Sequence, residues 1–365
     1  MTRVLVTGGA GFIGSHFARH ALARHPDWQV TILDKLTYAG NLANLDDIKG
    51  DPRYRFVRGD IAVRADVDAA WGDGIDLLFN FAAETHVDRS IGDPEGFIRT
   101  DIYGVHTLLE AARDRGIARF VQVSTDEVYG SVASGSSRED SPLMPSNPYA
   151  ASKTGADRLA YSYFVTYGLP VLITRASNNF GSHQYPEKMM PLFITNALDD
   201  QPLPLYGDGR NVRDWLFVGD HCTALDLVAE RGILGEVYNI GGANERQNID
   251  VTGRILERLG KPASLVRLVA DRPGHDRRYS LDCARLRALG WSPTTRFEQA
   301  LDETIDWYRH SRAWWEPIKS GEYLDYYRRQ YAGRPAAADA PAAPVTESPA
   351  RRSSGAPGRR APDAS

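Results

Sequence analysis

Thr7-Gly8-Gly9-Ala10-Gly11-Phe12-Ile13-Gly14 is the stretch on which the fold turns. It follows the apolar run Val4-Leu5-Val6 and opens a helix-like segment from Ser15 to Arg24. A strand, a glycine-rich turn and a helix in that order suit a dinucleotide. Glycine lets the backbone turn tightly and approach a pyrophosphate, while the helix N-terminus offers unpaired N–H groups to its charge. Gly8, Gly11, Phe12, Ile13 and Gly14 are therefore candidate cofactor contacts. Twenty residues beyond Gly14, Asp34 ends the next apolar run. A carboxylate there accepts hydrogen bonds from a ribose diol and repels a 2′-phosphate, which favours NAD over NADP, a preference that the adjacent Lys35 softens.

Outward from this loop, short apolar runs alternate with longer helix-like segments. Arg3 to Thr7, Gln29 to Leu33, Arg55 to Arg58, Leu77 to Ala82, Phe120 to Ser124 and Val171 to Thr174 are the expected strands. The alternation predicts an α/β fold, a Rossmann-type doubly wound parallel sheet with helices on both faces. Ligands in such sheets sit at the carboxyl ends of the strands. Asp60 and Ile61, after the third run, are placed to reach an adenine, although a solvated loop acid reads the same way. Beyond Arg175, turns at Gln201-Pro202-Leu203-Pro204, Gly207-Asp208-Gly209 and Arg272-Pro273-Gly274 break the pattern into shorter elements, expected as a smaller α+β lobe.

Strand five ends in Val123-Ser124-Thr125-Asp126-Glu127-Val128-Tyr129-Gly130. Two adjacent carboxyls leaving a buried strand are costly unless paired or functional. The plainer reading is a helix N-cap with acids in its first turn. Downstream, Tyr149-Ala150-Ala151-Ser152-Lys153 puts a phenol and an ammonium four residues apart, on one helix face. The Lys153 charge beside a nicotinamide cation is expected to lower the Tyr149 phenol towards neutrality and make it a base.

Composition excludes other classes. The 43 Lys and Arg against 47 Asp and Glu are interspersed, net charge −4, so no broad basic field exists for nucleic acid or an anionic membrane. No run approaches the roughly 18 apolar residues of a membrane span. The chain enters a strand at once, leaving no room for a signal peptide, and a cytoplasmic location is expected. Cys222 and Cys283, in segments that look helical, cannot build a metal cluster or a disulfide framework, and are expected as small core residues. After Tyr331, 24 of 34 residues are Ala, Pro, Gly or Ser, with no aromatic, which predicts a disordered tail over 332–365.

Further motifs carry a resemblance: DKLTYAGN at 34 to 41, AAETHVDRS at 82 to 90, STDEVYG at 124 to 130, YAASK at 149 to 153, NNFG at 178 to 181, YGDG at 206 to 209, RDWLFV at 213 to 218 and DRPGHDRRY at 271 to 279. With the glycine loop they span essentially the whole body. The chain resembles the dTDP-glucose 4,6-dehydratase family of the extended short-chain dehydrogenases/reductases. The Thr-Asp-Glu triplet is the specific part: related sugar-nucleotide epimerases lack the acid pair, and GDP-mannose dehydratases carry Ser in place of Asp126 and favour NADP.

The resemblance implies a reaction. Tyr149, helped by Lys153, takes the proton of the glucose 4-hydroxyl as C4 loses hydride to a tightly bound NAD. The resulting ketone acidifies C5. Glu127 removes that proton, protonated Asp126 delivers one to the departing C6 hydroxyl, and hydride returns to C6. Thr125 holds the 4-oxygen. The product is the 4-keto-6-deoxy sugar plus water. The resemblance adds Leu36, Thr37, Ala82, Ala83, Thr85, Thr100 and Asn179 to the cofactor contacts, with Tyr149 and Lys153. It assigns His86, Thr125, Asn178, Lys188, Met189, Pro204, Tyr206, Arg213, Asn248, Arg272 and His275 to the substrate, Tyr206 as a stacking partner for the base. Two arginines, a lysine and a histidine suit a diphosphate, yet singly each also reads as an ordinary surface or rim residue.

The chain is expected to divide into an NAD-binding catalytic domain, 1–175, a mainly sugar-nucleotide-binding lobe, 176–331, with segments returning to the first domain, and the tail, 332–365, which lies outside the resemblance. The resemblance also implies a homodimer paired through the helices Glu95 to Arg115 and Pro148 to Tyr167. The chain departs from the family pattern FxxTNxxGT at Asp101 and Val105. Two alternatives stay open from the residues alone: a UDP-sugar 4,6-dehydratase or 4-epimerase of this fold, and an NAD-binding scaffold without activity.

Overall fold

β1 (Thr2–Thr7) shows how the sequence builds the sheet: Val4 and Val6 enter one core and Leu5 the other. Successive side chains of a strand point to opposite faces, and a strand apolar on both must be covered on both. A computed structural model describes residues 1–331 and Arg334; the expected tail, 332–365, lies outside the described residues except for Arg334. β2 (Trp28–Asp34), β3 (Tyr54–Arg58), β4 (Leu77–Asn80), β5 (Arg119–Thr125) and β6 (Val171–Ala176) complete the six expected strands. β7 (Asn178–Phe180), β8 (Leu203–Tyr206), β9 (Val212–Phe217), β10 (Val237–Ile240), β11 (Glu245–Gln247) and β12 (Val266–Val269) follow.

The main sheet is parallel and seven-stranded, in the order β10-β6-β5-β4-β1-β2-β3. It is the doubly wound fold expected from the sequence. Its seventh strand comes from the C-terminal half, with Val237 to Ile240 paired against Ile173 to Ala176. The remaining strands make a three-stranded sheet, β11-β9-β7, and a parallel pair, β12-β8. A separate core of Phe180, Phe193, Trp215, Phe297, Tyr308 and Trp315 holds that lobe.

Three local differences from the sequence reading have physical causes. β4 stops at Asn80 rather than Ala82, because the chain there passes directly over the glycine loop: a Cβ on Gly8 would lie 2.6 Å from the Ala82 nitrogen. The helix expected over Glu95 to Arg115 is broken into Pro94–Phe97, a π-helical segment Ile98–Gly104, and Val105–Arg115. The break lets Gly104 press on Ile61, where a Cβ would come within 2.6 Å of that side chain. Cys283 caps a short helix instead of lying within one; both cysteines are buried and unpaired.

Candidate active site

The turn after β1 is shaped by Gly8, at φ +67°, and by Gly14, where a Cβ would sit 2.4 Å from the Gly8 carbonyl oxygen. Only glycine fits there, so the helix Phe12–Arg24 starts against the loop with its N–H groups facing the strand ends. Asp34 ends β2 on the same rim. Its Oδ2 accepts from the Ala10 N–H at 2.9 Å and its Oδ1 from the Leu36 N–H at 2.8 Å. Burial outweighs those bonds and raises its pKa. Lys35, the residue expected to soften the cofactor preference, turns instead to Asp60, Nζ to Oδ2 at 2.8 Å.

One cavity runs from this loop to the end of β5. It is lined by every cofactor residue expected from the sequence except Leu36, and by all five expected catalytic residues. Leu36, at φ +57°, turns its side chain into the core beside the first helix. The glycine cradle and the carboxylate on the β2 rim fit a dinucleotide with a free ribose diol. Sequence reasoning did not single out Glu84, Gln184 or His221, which also line the cavity. His221 Nδ1 lies 2.8 Å from Asn179 Oδ1, and burial lowers the imidazole to about 3, so it is neutral at physiological pH. No local signal in the helix Val218–Arg231 distinguishes it from a core histidine.

At the far end of the cavity both readings of the acid pair hold together. Thr125 is the N-cap of the single turn Asp126–Tyr129, its Oγ1 accepting from the Glu127 N–H at 3.3 Å. The two acids nevertheless face the cavity. Asp126 is 3% exposed; its Oδ1 accepts from Thr125 Oγ1 at 3.3 Å, while its Oδ2 is buried without a partner. Burial, then the charges of Glu127 and Asp214, push it well above the usual carboxyl range. Glu127 Oε2 accepts a long hydrogen bond, 3.4 Å, from the Tyr279 hydroxyl. A carboxyl placed as Asp126 is keeps its proton at a pH where a solvated one has lost it.

Tyr149 and Lys153 come from the first turns of the helix Pro148–Tyr167, which Asn147 caps by accepting from the Ala150 N–H at 2.9 Å. The expected lowering of the phenol is not what this chain's own groups produce. Burial first, then the charges of Glu127 and Asp101, hold it well above 10. Lys153 directs its Nζ to the Val123 carbonyl oxygen at 2.9 Å, and burial lowers its own pKa.

Of the expected substrate contacts, Thr125, Asn178 and Lys188 line the cavity. The others do not; among them His86 and Tyr206 meet the C-terminal helix Glu322–Tyr331, and Arg272 is tied to it through Asp88. Arg272 Nη1 donates to Asp88 Oδ1 at 3.2 Å, and Asp88 Oδ2 accepts from the Tyr206 hydroxyl at 2.9 Å and Gln330 Nε2 at 2.8 Å. Arg213 Nη2 donates to the Asp276 carbonyl at 2.9 Å, His275 pairs with Asp271, and His86 Nδ1 lies 3.1 Å from the Tyr326 hydroxyl. Pro204 lies beside Tyr206 on β8, and Met189 and Asn248 each open a helix. Asn178 Oδ1, Asn248 Oδ1 and Arg272 Nε are buried without hydrogen-bond partners, as expected of groups kept for a polar ligand.

A family model described as GDP-mannose 4,6 dehydratase matches residues 5–304, and the chain belongs to this family of nucleotide-sugar-modifying Rossmann enzymes. Within it, the chain is 54% identical over 322 residues to a dTDP-glucose 4,6-dehydratase of Streptomyces antibioticus, covering 87% of this chain and 95% of that one. A crystal structure of a dTDP-glucose 4,6-dehydratase from Streptomyces venezuelae, with NAD and dTDP bound, matches with a TM-score of 0.85 at 53% identity, over 87% of this chain and all of that one. A UDP-glucuronic acid 4-epimerase from Bacillus cereus matches with a TM-score of 0.79 at 28% identity, over 85% of this chain and all of that one.

Proposed function

We propose that the protein is an NAD-dependent dTDP-glucose 4,6-dehydratase, a lyase that forms dTDP-4-keto-6-deoxyglucose and water. The observation that carries this reading is the unequal acid pair Asp126 and Glu127, facing Tyr149 across the end of the same cavity that the glycine loop opens. An epimerase needs no acid for a leaving hydroxyl, and identity falls from 53% for the dehydratase structure to 28% for the epimerase.

When bound, NAD supplies the acceptor that takes hydride from C4 of the sugar and gives it back at C6. The protein's own groups move the protons. Tyr149 takes the proton of the 4-hydroxyl, with Lys153 as the positive charge behind it. That charge matters, because this pocket disfavours the phenolate. Thr125 holds the 4-oxygen. Glu127 takes the C5 proton, and Asp126, kept protonated by burial and by its neighbour, gives one to the leaving C6 oxygen. Gly8, Gly11 and Gly14 are assigned to the cofactor pyrophosphate and Asp34 to its ribose. Arg272, Arg213 and Lys188 are assigned to the diphosphate of the sugar nucleotide, Arg272 exchanging Asp88 for phosphate oxygens.

A homodimer is part of the proposal. Tyr103, Val165 and Tyr167 are more than half exposed along the helices that would pair, and sedimentation of the purified protein tests it. A cytoplasmic location is kept as a reading supported by the two free thiols; no described helix is long and apolar enough to cross a membrane. The function is tested by incubating the protein with dTDP-glucose, UDP-glucose and GDP-mannose separately and weighing the nucleotide product. Loss of one water from dTDP-glucose is expected. An unchanged mass with an inverted C4 hydroxyl would make it an epimerase, and no turnover with added NAD would leave the scaffold.

A further inference from the structure

Asp101 sits in the middle of the π-helical segment Ile98–Gly104 and is 1% exposed. Its Oδ2 accepts from Ser152 Oγ at 2.6 Å and its Oδ1 from the Glu84 N–H at 3.0 Å. The same Ser152 hydroxyl lies 2.8 Å from the Tyr149 carbonyl oxygen. One serine therefore ties this carboxyl to the helical turn that carries both the phenol and the ammonium of the active site. The Lys153 Nζ bonds to Val123 instead, so Asp101 acts on it through space, in a pocket dry enough for charges to be felt at that range.

The titratable and charged groups facing Asp101 come from two directions. The helix Pro148–Tyr167 presents Lys153 and Tyr149, and the loop after β4 presents Glu84. Lys153 is also faced by Asp157 from its own helix. The Asp101 charge favours the Lys153 ammonium and disfavours the Tyr149 phenolate, so it pushes both groups the same way.

We propose that Asp101 is a positioning residue whose negative charge sets the pH window of the Tyr149–Lys153 pair. It acts through Lys153 and Tyr149 and touches no reacting atom. Burial brings its own titration up to about 6, within reach of physiological pH. The proposal rests on the reading of Tyr149 as the base for the 4-hydroxyl.

The test compares wild type, Asp101→Asn and Ser152→Ala. Asn keeps the size and a hydrogen-bond acceptor but removes the charge; Ser152→Ala breaks the hydrogen bond and keeps the carboxyl, which then ionises at higher pH. In kcat/KM against pH with dTDP-glucose, both limbs of the Asp101→Asn profile are expected to move towards acid by about half a unit or more. Ser152→Ala is expected to move the limbs less than Asp101→Asn does, because its carboxyl still ionises on the alkaline side. Superimposed limbs for wild type and Asp101→Asn would overturn the proposal, as would an equal displacement in Ser152→Ala.

A second measurement needs no substrate. The melting temperature of Asp101→Asn minus that of wild type is expected to grow as pH rises from about 4 to about 6 and then to level off, because over that window the unfolded chain has released the Asp101 proton while the folded chain still holds it. A flat difference overturns the proposal. If wild type fails to turn over any nucleotide sugar, the substrate reading falls, and this second measurement still decides whether Asp101 carries a titrating charge here.

Discussion

Arg175 and Asp157 meet in a buried two-point ion pair, Nε to Oδ2 at 2.8 Å and Nη2 to Oδ1 at 3.0 Å, with side chains 1% and 0% exposed. Arg175 also donates to the Tyr129 hydroxyl at 2.7 Å. The pair thus locks β6 and the turn after the acid pair to the helix that bears Tyr149 and Lys153, one turn from the lysine.

Because removing one partner leaves an uncompensated charge in the interior, Asp157→Ala is expected to cost about 3–5 kcal/mol. Replacing both partners with apolar residues of similar volume should cost less than either single change. Urea unfolding of the three variants measures this. A single Asp157→Ala change that left stability intact would show the pair to be solvated in solution.

Tyr149→Phe removes the only atom of that side chain able to take the 4-hydroxyl proton. Turnover is expected to fall by about 10²- to 10⁴-fold. Binding of dTDP, measured by calorimetry, should hardly change, since the ring remains packed edge-on to Phe97. Near-normal turnover would remove Tyr149 from the reaction.

Asp126→Asn cannot deliver a proton to the leaving oxygen, whereas Glu127 keeps its carboxylate. Water loss is expected to drop by about 100-fold or more, while the C5 proton still exchanges with deuterated solvent. In the wild type the acid works only while protonated. Its pKa lies above the ordinary carboxyl value, so activity should persist at neutral pH and decline on the alkaline side. Mass spectrometry of the substrate recovered from deuterium oxide separates the two steps; full elimination by Asp126→Asn would reverse the assignment.

Gly14→Ala places a methyl group against the backbone oxygen of Gly8, at 2.4 Å, where no side chain can yield. The first helix must shift, at a cost of about 1–3 kcal/mol. The protein should then purify with far less nucleotide than wild type, assayed by releasing the cofactor with acid. Full cofactor occupancy would mean that the loop is not the pyrophosphate site.

Much of this was legible in the chain because the signals are local. The six strands of the first half, the glycine loop and the Asp126-Glu127 pair each announce themselves within a few residues, and their strand-end positions follow from the sheet rule. The rest depends on partners far apart in sequence. Nothing near Arg272 foretells that it pairs with Asp88, 184 residues away, or that Gln330 reaches the same carboxylate. The Tyr149 phenol illustrates a different limit: the Tyr-Lys spacing shows the cation, but not the acids from two other segments that oppose it. Asp101 was visible only as a departure from a pattern, and its meaning needed the hydroxyl of Ser152 beside it.

The seventh strand has a consequence for biosynthesis. β10 pairs with β6 across sixty intervening residues, so the first half of the chain leaves the ribosome with an open sheet edge. That edge is a template for intermolecular pairing and stays bare until Val237 to Ile240 have emerged, at about 5–20 residues per second. The nucleotide-binding half is therefore not a module that matures first and waits for its partner. It closes only after much of the second lobe has been made, and slow translation between residues 176 and 240 is where aggregation of the nascent chain would be decided.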